Sequence, residues 1–443
     1  MRKTGTLLPA ISIVGLLLSG CGVDGNRGTN SVDDGTDELV SAQVIDDINA
    51  SVMLNYVHGL DPNATNAFGY KAVKISYNTI NQDGQKIKAS GLLTIPVPTK
   101  AYINYLASIG KPFSVSMICE NHGTIFTNAE APSNVEVSDG VPNYPTAIGM
   151  TGYAGFASIN PDYIGFGDSK GVVQPYMLEK ASAQSALDMI KASMKYMESH
   201  GIVLNHQLYV SGYSQGGYNA MAVAKSIEEG NLPNVNLMAT AAMAGPYNLE
   251  DLANVELNAT HIMQYPAFLA DLANSYTYYY NDLNLSDVIV ESNTTKFRGL
   301  FNGDYNAILI HIGLGLANGT TDLGFKTHQA DELFKTSFID DYQNNLNNAF
   351  RVRLQENNLD SWSPKTKVNL IQCVDDEIIP FSEAQNTYAK MKASGADVTL
   401  SPIPTNYLQQ QVDLLHPFVH ANCAPTAYGV AVKWFDDIRQ GRI

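Results

Sequence analysis

The sequence predicts an α/β protein in which helices flank a mostly parallel sheet and a helical segment interrupts the chain. Strand-like and helix-like segments alternate, a hairpin precedes them, and a long stretch without strands divides them. The strand-like runs, short and apolar, lie at residues 113–119, 156–159, 207–210, 237–244, 367–373 and 397–403. Apolar residues at helical spacing predict helices at residues 178–199, 215–229, 381–394 and 425–440. Strands that alternate with helices favour a parallel sheet covered on both faces.

The hairpin is predicted from two strand-like runs and the turn between them. Residues 71–76 and 88–95 favour strands, and Asn81-Gln82-Asp83-Gly84 is a strong turn sequence. We therefore expect an antiparallel pair ahead of the parallel strands.

The long stretch between Pro246 and Pro364 has no strand rhythm and is rich in Tyr, Asn and Leu. A structureless loop of that length is uncommon in a compact domain. We predict a helical cap at residues 247–363, inserted into a core formed by residues 41–246 and 364–443. Its dense aromatic residues favour a packed interior over a lipid-facing lid.

The N-terminus has the features of an export signal. Basic residues 2–3 precede an apolar run, Leu7 to Leu18, that is too short to span a bilayer comfortably. The run ends in Leu18-Ser19-Gly20-Cys21, which resembles a bacterial lipobox. We predict a signal peptide at residues 1–21, lipid attachment at Cys21 and a flexible tether at residues 22–40. An ordinary signal peptide with a chance cysteine is the alternative.

These N-terminal features predict an exported protein of the bacterial cell envelope, anchored by lipid to the outer membrane or cell surface. The formal net charge of −16 disfavours nucleic acid as a partner. Beyond Cys21 the chain has Cys119, Cys373 and Cys423, without the spacing of a disulfide framework or a metal site. The sequence therefore predicts no metal and no cofactor.

The pattern Gly-x-Ser-x-Gly, typical of a nucleophilic serine in an α/β-hydrolase, occurs twice. Ser169 lies among Gly165, Gly167 and Pro175, where neither a strand nor a helix flanks it closely, so we interpret that copy as a loop. Ser214 lies between a predicted strand and a predicted helix, which is the context that the chemistry requires. The sequence predicts Ser214 as the nucleophile; a glycine-rich turn with a bystander serine is the alternative.

A serine nucleophile needs a histidine base and a carboxylate that orients it, in the chain order Ser, acid, His. Asp375 and Asp376 both follow a predicted strand, and we favour Asp376 because it begins the spacing Asp-x-x-Ile-Pro. For the base we favour His420, nearer the last predicted helix, over His416, which precedes a proline.

Two further expectations follow from this assignment. The acid and base loops must meet, so Cys373 and Cys423 are candidates for a disulfide, although three buried thiols remain an alternative. An oxyanion hole needs two backbone N–H groups. We predict those of Gln215 and Thr124, whereas His122 comes before the nucleophile and is expected to be structural.

Together these motifs resemble the secretory lipase family of α/β-hydrolases. The likeness runs from about residue 70 to residue 434 and rests on Asn121–Thr124, Glu130–Ser133, Asn160–Ser169, Gln174–Tyr176, Ala183–Ser185, Gly212–Gly217 and Asp376–Pro380. It implies hydrolysis of small-molecule or lipid carboxylic esters by Ser214, Asp376 and His420, with a cap over the pocket. Cys373 stands where a glycine is common in the family, and the inserted region aligns least.

Two other functional classes stay open at this point. A peptidase or amidase could use the same triad, because the fold does not choose the leaving group. A non-catalytic lipoprotein that binds surface ligands is the second alternative, although the coherent order of serine, acid and histidine counts against it.

Overall fold

The computed structural model describes residues 38–136, 141–258, 262–263, 265–292, 294–315, 328–408 and 418–443. The predicted signal peptide, Cys21 and most of the predicted tether lie outside these residues, as does His416.

The described residues form a nine-stranded mixed sheet and a separate two-stranded sheet. The strands are β1 (Leu39–Ile48), β2 (Gly69–Ile80), β3 (Lys86–Val97), β4 (Val115–Asn121), β5 (Ala157–Pro161), β6 (Leu204–Tyr213), β7 (Asn236–Met243), β8 (Ile262–Met263), β9 (His328–Gln329), β10 (Lys367–Cys373) and β11 (Val398–Ile403). The order in the large sheet is β1-β2-β3-β5-β4-β6-β7-β10-β11, while β8 pairs with β9.

Six neighbouring strands of the large sheet run parallel: β5, β4, β6, β7, β10 and β11. The edge formed by β1, β2 and β3 is antiparallel. The predicted mostly parallel sheet is confirmed. The predicted hairpin is also confirmed as β2 and β3, whose turn is stabilised by Asn81: its side-chain oxygen accepts the N–H groups of Asp83 and Gln85.

The sequence did not predict β1. This strand begins at Leu39, so residues 39–40 of the predicted tether belong to the sheet. Its pairing with β2 shifts register twice, between Leu39 and Ser41 and between Val44 and Asp46. These irregularities break the alternation of buried and exposed side chains that would have identified a strand.

The helices are α1 (Ala50–Leu60), α2 (Lys100–Ser108), α3 (Pro132–Val135), α4 (Pro145–Ala147), α5 (Glu179–Ser199), α6 (Gln215–Ser226), α7 (Leu249–Glu256), α8 (Pro266–Tyr279), α9 (Leu285–Val288), α10 (Thr294–Gly299), α11 (Ala307–Gly313), α12 (Ala330–Leu333), α13 (Thr336–Asn344), α14 (Ala349–Glu356), α15 (Phe381–Ala393) and α16 (Val419–Arg439). The predicted helices α5, α6 and α15 are confirmed. Helix α6 is almost wholly buried, and it follows β6, which lies between β4 and β7 in the interior of the large sheet.

The last helix begins earlier than predicted. We expected it to start at Pro425, but α16 starts at Val419 and contains Pro425 in its interior. Proline lacks an N–H and costs helical stability at such a position. The first turn of α16 nevertheless forms hydrogen bonds with Tyr213 at the end of β6 and with Glu377 after β10, and His420 lies within the helix instead of in a loop before it.

Helices α7 to α14 all lie between β7 and β10, within the segment predicted to be helical. Tyr276 of α8 is fully buried and donates a hydrogen bond to the Met177 carbonyl (3.0 Å). Tyr218 of α6 donates to the Asn357 carbonyl, just after α14 (2.8 Å). The inserted helices therefore share a packed, aromatic interior with the helices of the sheet. No helix in the described residues has the length and apolar character needed to cross a membrane.

Candidate active site

Ser214 lies in a strained turn between β6 and α6. Its backbone φ of 59° and ψ of −122° belong to a region that residues with a side chain rarely adopt. The Ser214 N–H donates to the Met243 carbonyl at the end of β7 (2.9 Å), and the Ser214 carbonyl accepts from the Gly217 N–H (2.8 Å). The turn is thus held by the neighbouring strand on one side and by the first turn of the helix on the other.

The flanking glycines are required because backbone atoms approach each other closely here. A Cβ on Gly212 would lie 2.1 Å from the Gly216 carbonyl oxygen, and a Cβ on Gly216 would lie 1.9 Å from the Asn121 carbonyl oxygen. Both distances are far shorter than contacts between real atoms. The motif therefore presents the serine at the N-terminus of α6, where the helix dipole favours negative charge.

The second Gly-x-Ser-x-Gly copy has a different environment. Ser169 is buried, donates to the Phe166 carbonyl (2.8 Å) and accepts from the Gly165 N–H (3.1 Å). Burial alone would raise the pKa of its neighbour Asp168, but the Ser76 hydroxyl and two lysines outweigh burial and lower that pKa. This copy forms a short turn that is tied to the antiparallel edge of the sheet, as the sequence predicted.

The structure distinguishes the two candidate acids by their partners. Asp376 Oδ2 lies 2.8 Å from His420 Nδ1, and Asp376 Oδ1 accepts the N–H groups of Ile378 (3.0 Å) and Ile379 (2.9 Å). The Asp376 side chain is fully buried. Asp375 is exposed and instead accepts a hydrogen bond from the Thr405 hydroxyl. Of these two carboxylates, Asp376 is the one that contacts the imidazole of His420.

Tyr213 connects Ser214 to His420. It directly precedes Ser214, and its hydroxyl donates to the backbone carbonyl of His420 (2.7 Å). Burial, and then the charges of Asp376 and Glu377, raise the pKa of Tyr213, so the hydroxyl stays protonated and remains a donor.

A disulfide joins Cys373 at the end of β10 to Cys423 in α16, with their Cα atoms 6.2 Å apart. This confirms the predicted pair. Each cysteine is three residues from a candidate catalytic residue, Asp376 or His420, so the bridge ties the loop that carries Asp376 to the helix that carries His420. Cys119 is a buried free thiol, and burial raises its pKa.

The loop after β4 approaches Ser214 directly. A Cβ on Gly123 would lie 3.7 Å from the Ser214 Cβ. The hydroxyl groups of Thr124 and Tyr176 are 2.8 Å apart, and both residues line the same cavity as Ser214. The Thr124 backbone is therefore close to the serine, and Gln215 begins the helix beside it, as the predicted oxyanion hole requires.

His122 supports this loop. Its ring stacks on Tyr163 (centroids 3.9 Å apart), and its Nδ1 lies 2.7 Å from the Gly123 carbonyl oxygen. Burial lowers the pKa of His122, which favours the neutral ring as a donor to that carbonyl. These contacts are those of a structural residue.

Glu120, two residues earlier, is buried at the end of β4 and links this loop to α16. Its carboxyl group accepts hydrogen bonds from the hydroxyls of Tyr144 (2.9 Å) and Tyr428, the latter in α16. Burial raises the pKa of Glu120 to about 7, which the two tyrosine donors partly oppose.

An apolar cavity opens beside Ser214, with about 750 Å³ of empty space including its opening to solvent. Two inserted helices form much of its wall. Their lining residues recur at helical spacing: Leu249, Leu252, Ala253 and Glu256 in α7, and Tyr265, Phe268, Leu269 and Leu272 at and within the start of α8. Each helix therefore presents one face to the cavity.

The sequence did not predict these residues as the wall of a cavity, and it did not predict Tyr213 as part of the site. The helical spacing of Leu249, Leu252 and Ala253 was visible as a pattern, but it does not say what the apolar face contacts. No signal in the sequence pointed to Tyr213 as a partner of His420. In the parts of the chain that the structure describes, no group of three or more His, Cys, Asp or Glu residues is arranged to hold a metal ion.

A strained serine above the middle of a mostly parallel sheet, with an aspartate–histidine pair from later in the chain, defines an α/β-hydrolase. Residues 146–442 match the secretory lipase family, so the chain belongs to that family and is a carboxylic ester hydrolase. A comparison with curated protein sequences found no match.

Solved structures share the fold. The chain is similar to the rice cell wall degrading esterase LipA from Xanthomonas oryzae, with a TM-score of 0.75 and 21% identity over 92% of this chain and 100% of that chain. It is also similar to lipase A from Candida antarctica in its closed state, with a TM-score of 0.56 and 15% identity over 89% of this chain and 83% of that chain. At these identities the comparison concerns the fold alone.

Proposed function

We propose that the protein hydrolyses carboxylic esters through a Ser214–His420–Asp376 triad and an acyl-enzyme intermediate. The observation that carries the proposal is the 2.8 Å contact between Asp376 and His420, on the same sheet edge as the strained Ser214 turn.

The mechanism has two steps. Nε2 of His420 takes the proton of the Ser214 hydroxyl as its oxygen attacks the ester carbonyl, while Asp376 holds Nδ1–H. The N–H groups of Gln215 and Thr124 stabilise the oxyanion. His420 gives the proton to the departing alcohol and then takes a proton from the water that attacks the acyl-enzyme. The acid product leaves, and the serine regains its proton.

The apolar cavity supports a substrate with an apolar acyl chain. Its walls from α7 and α8 are mostly aliphatic and aromatic, so an alkyl chain that enters from the ester group gains the free energy of leaving water. We therefore place the acyl group between these two helices.

Filling the cavity is expected to shorten the preferred acyl chain. Leu252→Trp adds bulk to a lining residue and is expected to lower kcat/KM for the p-nitrophenyl octanoate ester about 10-fold relative to the acetate ester. Val255→Trp is the matched control, because Val255 is in the same helix but 54% exposed. An octanoate-to-acetate ratio that falls equally in both variants would exclude this location for the acyl group.

The proposed function is tested by hydrolysis of p-nitrophenyl esters from acetate to palmitate, using a soluble form that starts at residue 22. Ser214→Ala serves as the blank. Hydrolysis well above the blank supports the ester hydrolase, and the best chain length separates an esterase from a lipase. A wild-type rate equal to the blank on every ester would overturn the proposal and direct the assay to peptide and amide substrates, then to ligand binding.

We also propose the organisation of the whole chain. Residues 1–21 act as a lipoprotein signal, Cys21 carries the lipid and residues 22–40 form the tether, apart from the start of β1. Residues 41–246 and 364–443 form the catalytic core, and residues 247–363 form the cap. Export to the cell envelope fits membership of a secretory family. Radiolabelled palmitate incorporated by the wild type but not by Cys21→Ser would support the anchor.

A further inference from the structure

We propose that Glu377 is a positioning residue, whose carboxylate holds the first turn of α16 and thereby the imidazole of His420. The inference rests on the proposed role of His420 as the base. It adds a residue to the site that neither the family resemblance nor the triad assigns.

The N-terminus of α16 has no N-cap side chain that accepts a hydrogen bond. The first N–H groups of a helix have no partner within the helix and are usually satisfied by the side chain of the N-cap residue. Here the N-cap residue is Phe418, whose side chain has no acceptor. Glu377 fills this role from another part of the chain: its Oε2 accepts the N–H groups of Val419 (3.0 Å) and His420 (3.4 Å).

Charge strengthens this contact. A carboxylate beside the N-terminus of a helix is stabilised by the helix dipole, and α16 spans 21 residues. Glu377 is half-buried, so water screens the interaction only in part. Burial, together with the charge of Asp376, raises the pKa of Glu377, whereas its backbone hydrogen bonds and the charge of His420 oppose that rise.

Neighbouring residues 376 and 377 hold the same histidine in two ways. Asp376 contacts the ring at Nδ1, while Glu377 contacts the backbone N–H. From the opposite side, the Tyr213 hydroxyl contacts the backbone carbonyl of His420. If the Glu377 contact is lost, the first turn of α16 is free to shift, and a displacement of about 1 Å in a catalytic group costs on the order of 100-fold in rate.

The experiment compares Glu377→Ala, Glu377→Gln and Glu377→Asp in the full chain on the best p-nitrophenyl ester. We expect Glu377→Ala to lower kcat about 10- to 100-fold and to leave KM within about 3-fold, because the apolar cavity is unchanged. Glu377→Gln keeps an acceptor oxygen at the same reach and is expected to restore kcat to within about 3-fold of the wild type. Glu377→Asp keeps the charge, but its shorter side chain places the acceptor oxygen farther from α16. Its kcat is therefore expected to lie between those of the Ala and Gln variants.

Asp375→Asn is the matched control, since it removes a nearby carboxylate that contacts Thr405 instead of α16. If Glu377→Ala does not fold, as judged by circular dichroism, the Asp and Gln variants decide the question. A Glu377→Gln variant as impaired as the Ala or Asp variant, or a Glu377→Ala variant no slower than Asp375→Asn, would overturn the inference. A wild type with no ester hydrolysis would instead overturn the proposed function, so the two failures are distinguishable.

Discussion

Ser214→Ala is expected to lower kcat for a p-nitrophenyl ester by about 10⁴- to 10⁶-fold. In the proposed mechanism the hydroxyl oxygen forms the bond to the acyl group, so its loss removes the acyl-enzyme pathway altogether. The fold should persist, because the turn is held by backbone hydrogen bonds to Met243 and Gly217 and not by the serine side chain. Steady-state hydrolysis and a thermal melt of the same preparation measure both results.

The chain supplies its own control in the second Gly-x-Ser-x-Gly copy. Ser169→Ala removes a buried hydroxyl that bonds to Phe166 and Gly165, which should cost about 1 kcal/mol or slightly more in stability. Its kcat is expected to stay within about 3-fold of the wild type, since the hydroxyl is committed to its own loop. Covalent labelling by a fluorophosphonate, read by mass spectrometry, should appear on Ser214 alone. Labelling of Ser169, or equal loss of activity in the two variants, would contradict the assignment.

The second large effect is expected for Asp376→Asn, which should lower kcat about 10³- to 10⁴-fold. An asparagine offers no negative charge to the imidazolium that forms as Ser214 is deprotonated. The asparagine amide can also donate a hydrogen bond to Nδ1 of His420, which favours the tautomer that carries its proton on Nε2. In that tautomer, Nε2 cannot accept the serine proton. Since the Asp376 side chain is fully buried, water cannot take the place of the carboxylate in stabilising the imidazolium.

Asp375→Asn is the paired control for this prediction as well. The Asp375 side chain is exposed and contacts Thr405, so kcat should stay within about 3-fold of the wild type. The acid assignment would be wrong if Asp375→Asn lost activity while Asp376→Asn kept it. Urea unfolding of both variants separates a catalytic loss from a loss of the folded state.

Several features of the molecule could be predicted because they depend on neighbouring residues. The Asn81–Gly84 turn, the strand before Ser214 and the helix after it were all visible as local patterns. The glycines at 212 and 216 are equally local, because backbone atoms would collide with any Cβ there. The cysteine pair followed from requiring the acid and base loops to meet, and the disulfide confirms it.

Other features were missed because the forces that produce them come from distant segments. Strand β1 has two register shifts that conceal its periodicity, and only pairing with β2 makes it a strand. Helix α16 begins six residues before Pro425, its predicted first residue, because Glu377 satisfies its first N–H groups and Cys373 bonds to Cys423.

By itself, the sequence determined the α/β class and the serine turn, and it predicted the order of nucleophile, acid and base. Each depends on hydrophobic periodicity or on the steric requirements of a few consecutive residues, so the chain carries that information locally. Only the tertiary structure gave the contact with His420 to Asp376 and not to Asp375, placed His420 within a helix, brought Tyr213 and Glu377 close to it, and placed α7 and α8 around the cavity. These outcomes depend on which atoms meet across long separations along the chain, and adjacent carboxylates with the same local sequence differ only in what the fold brings near them.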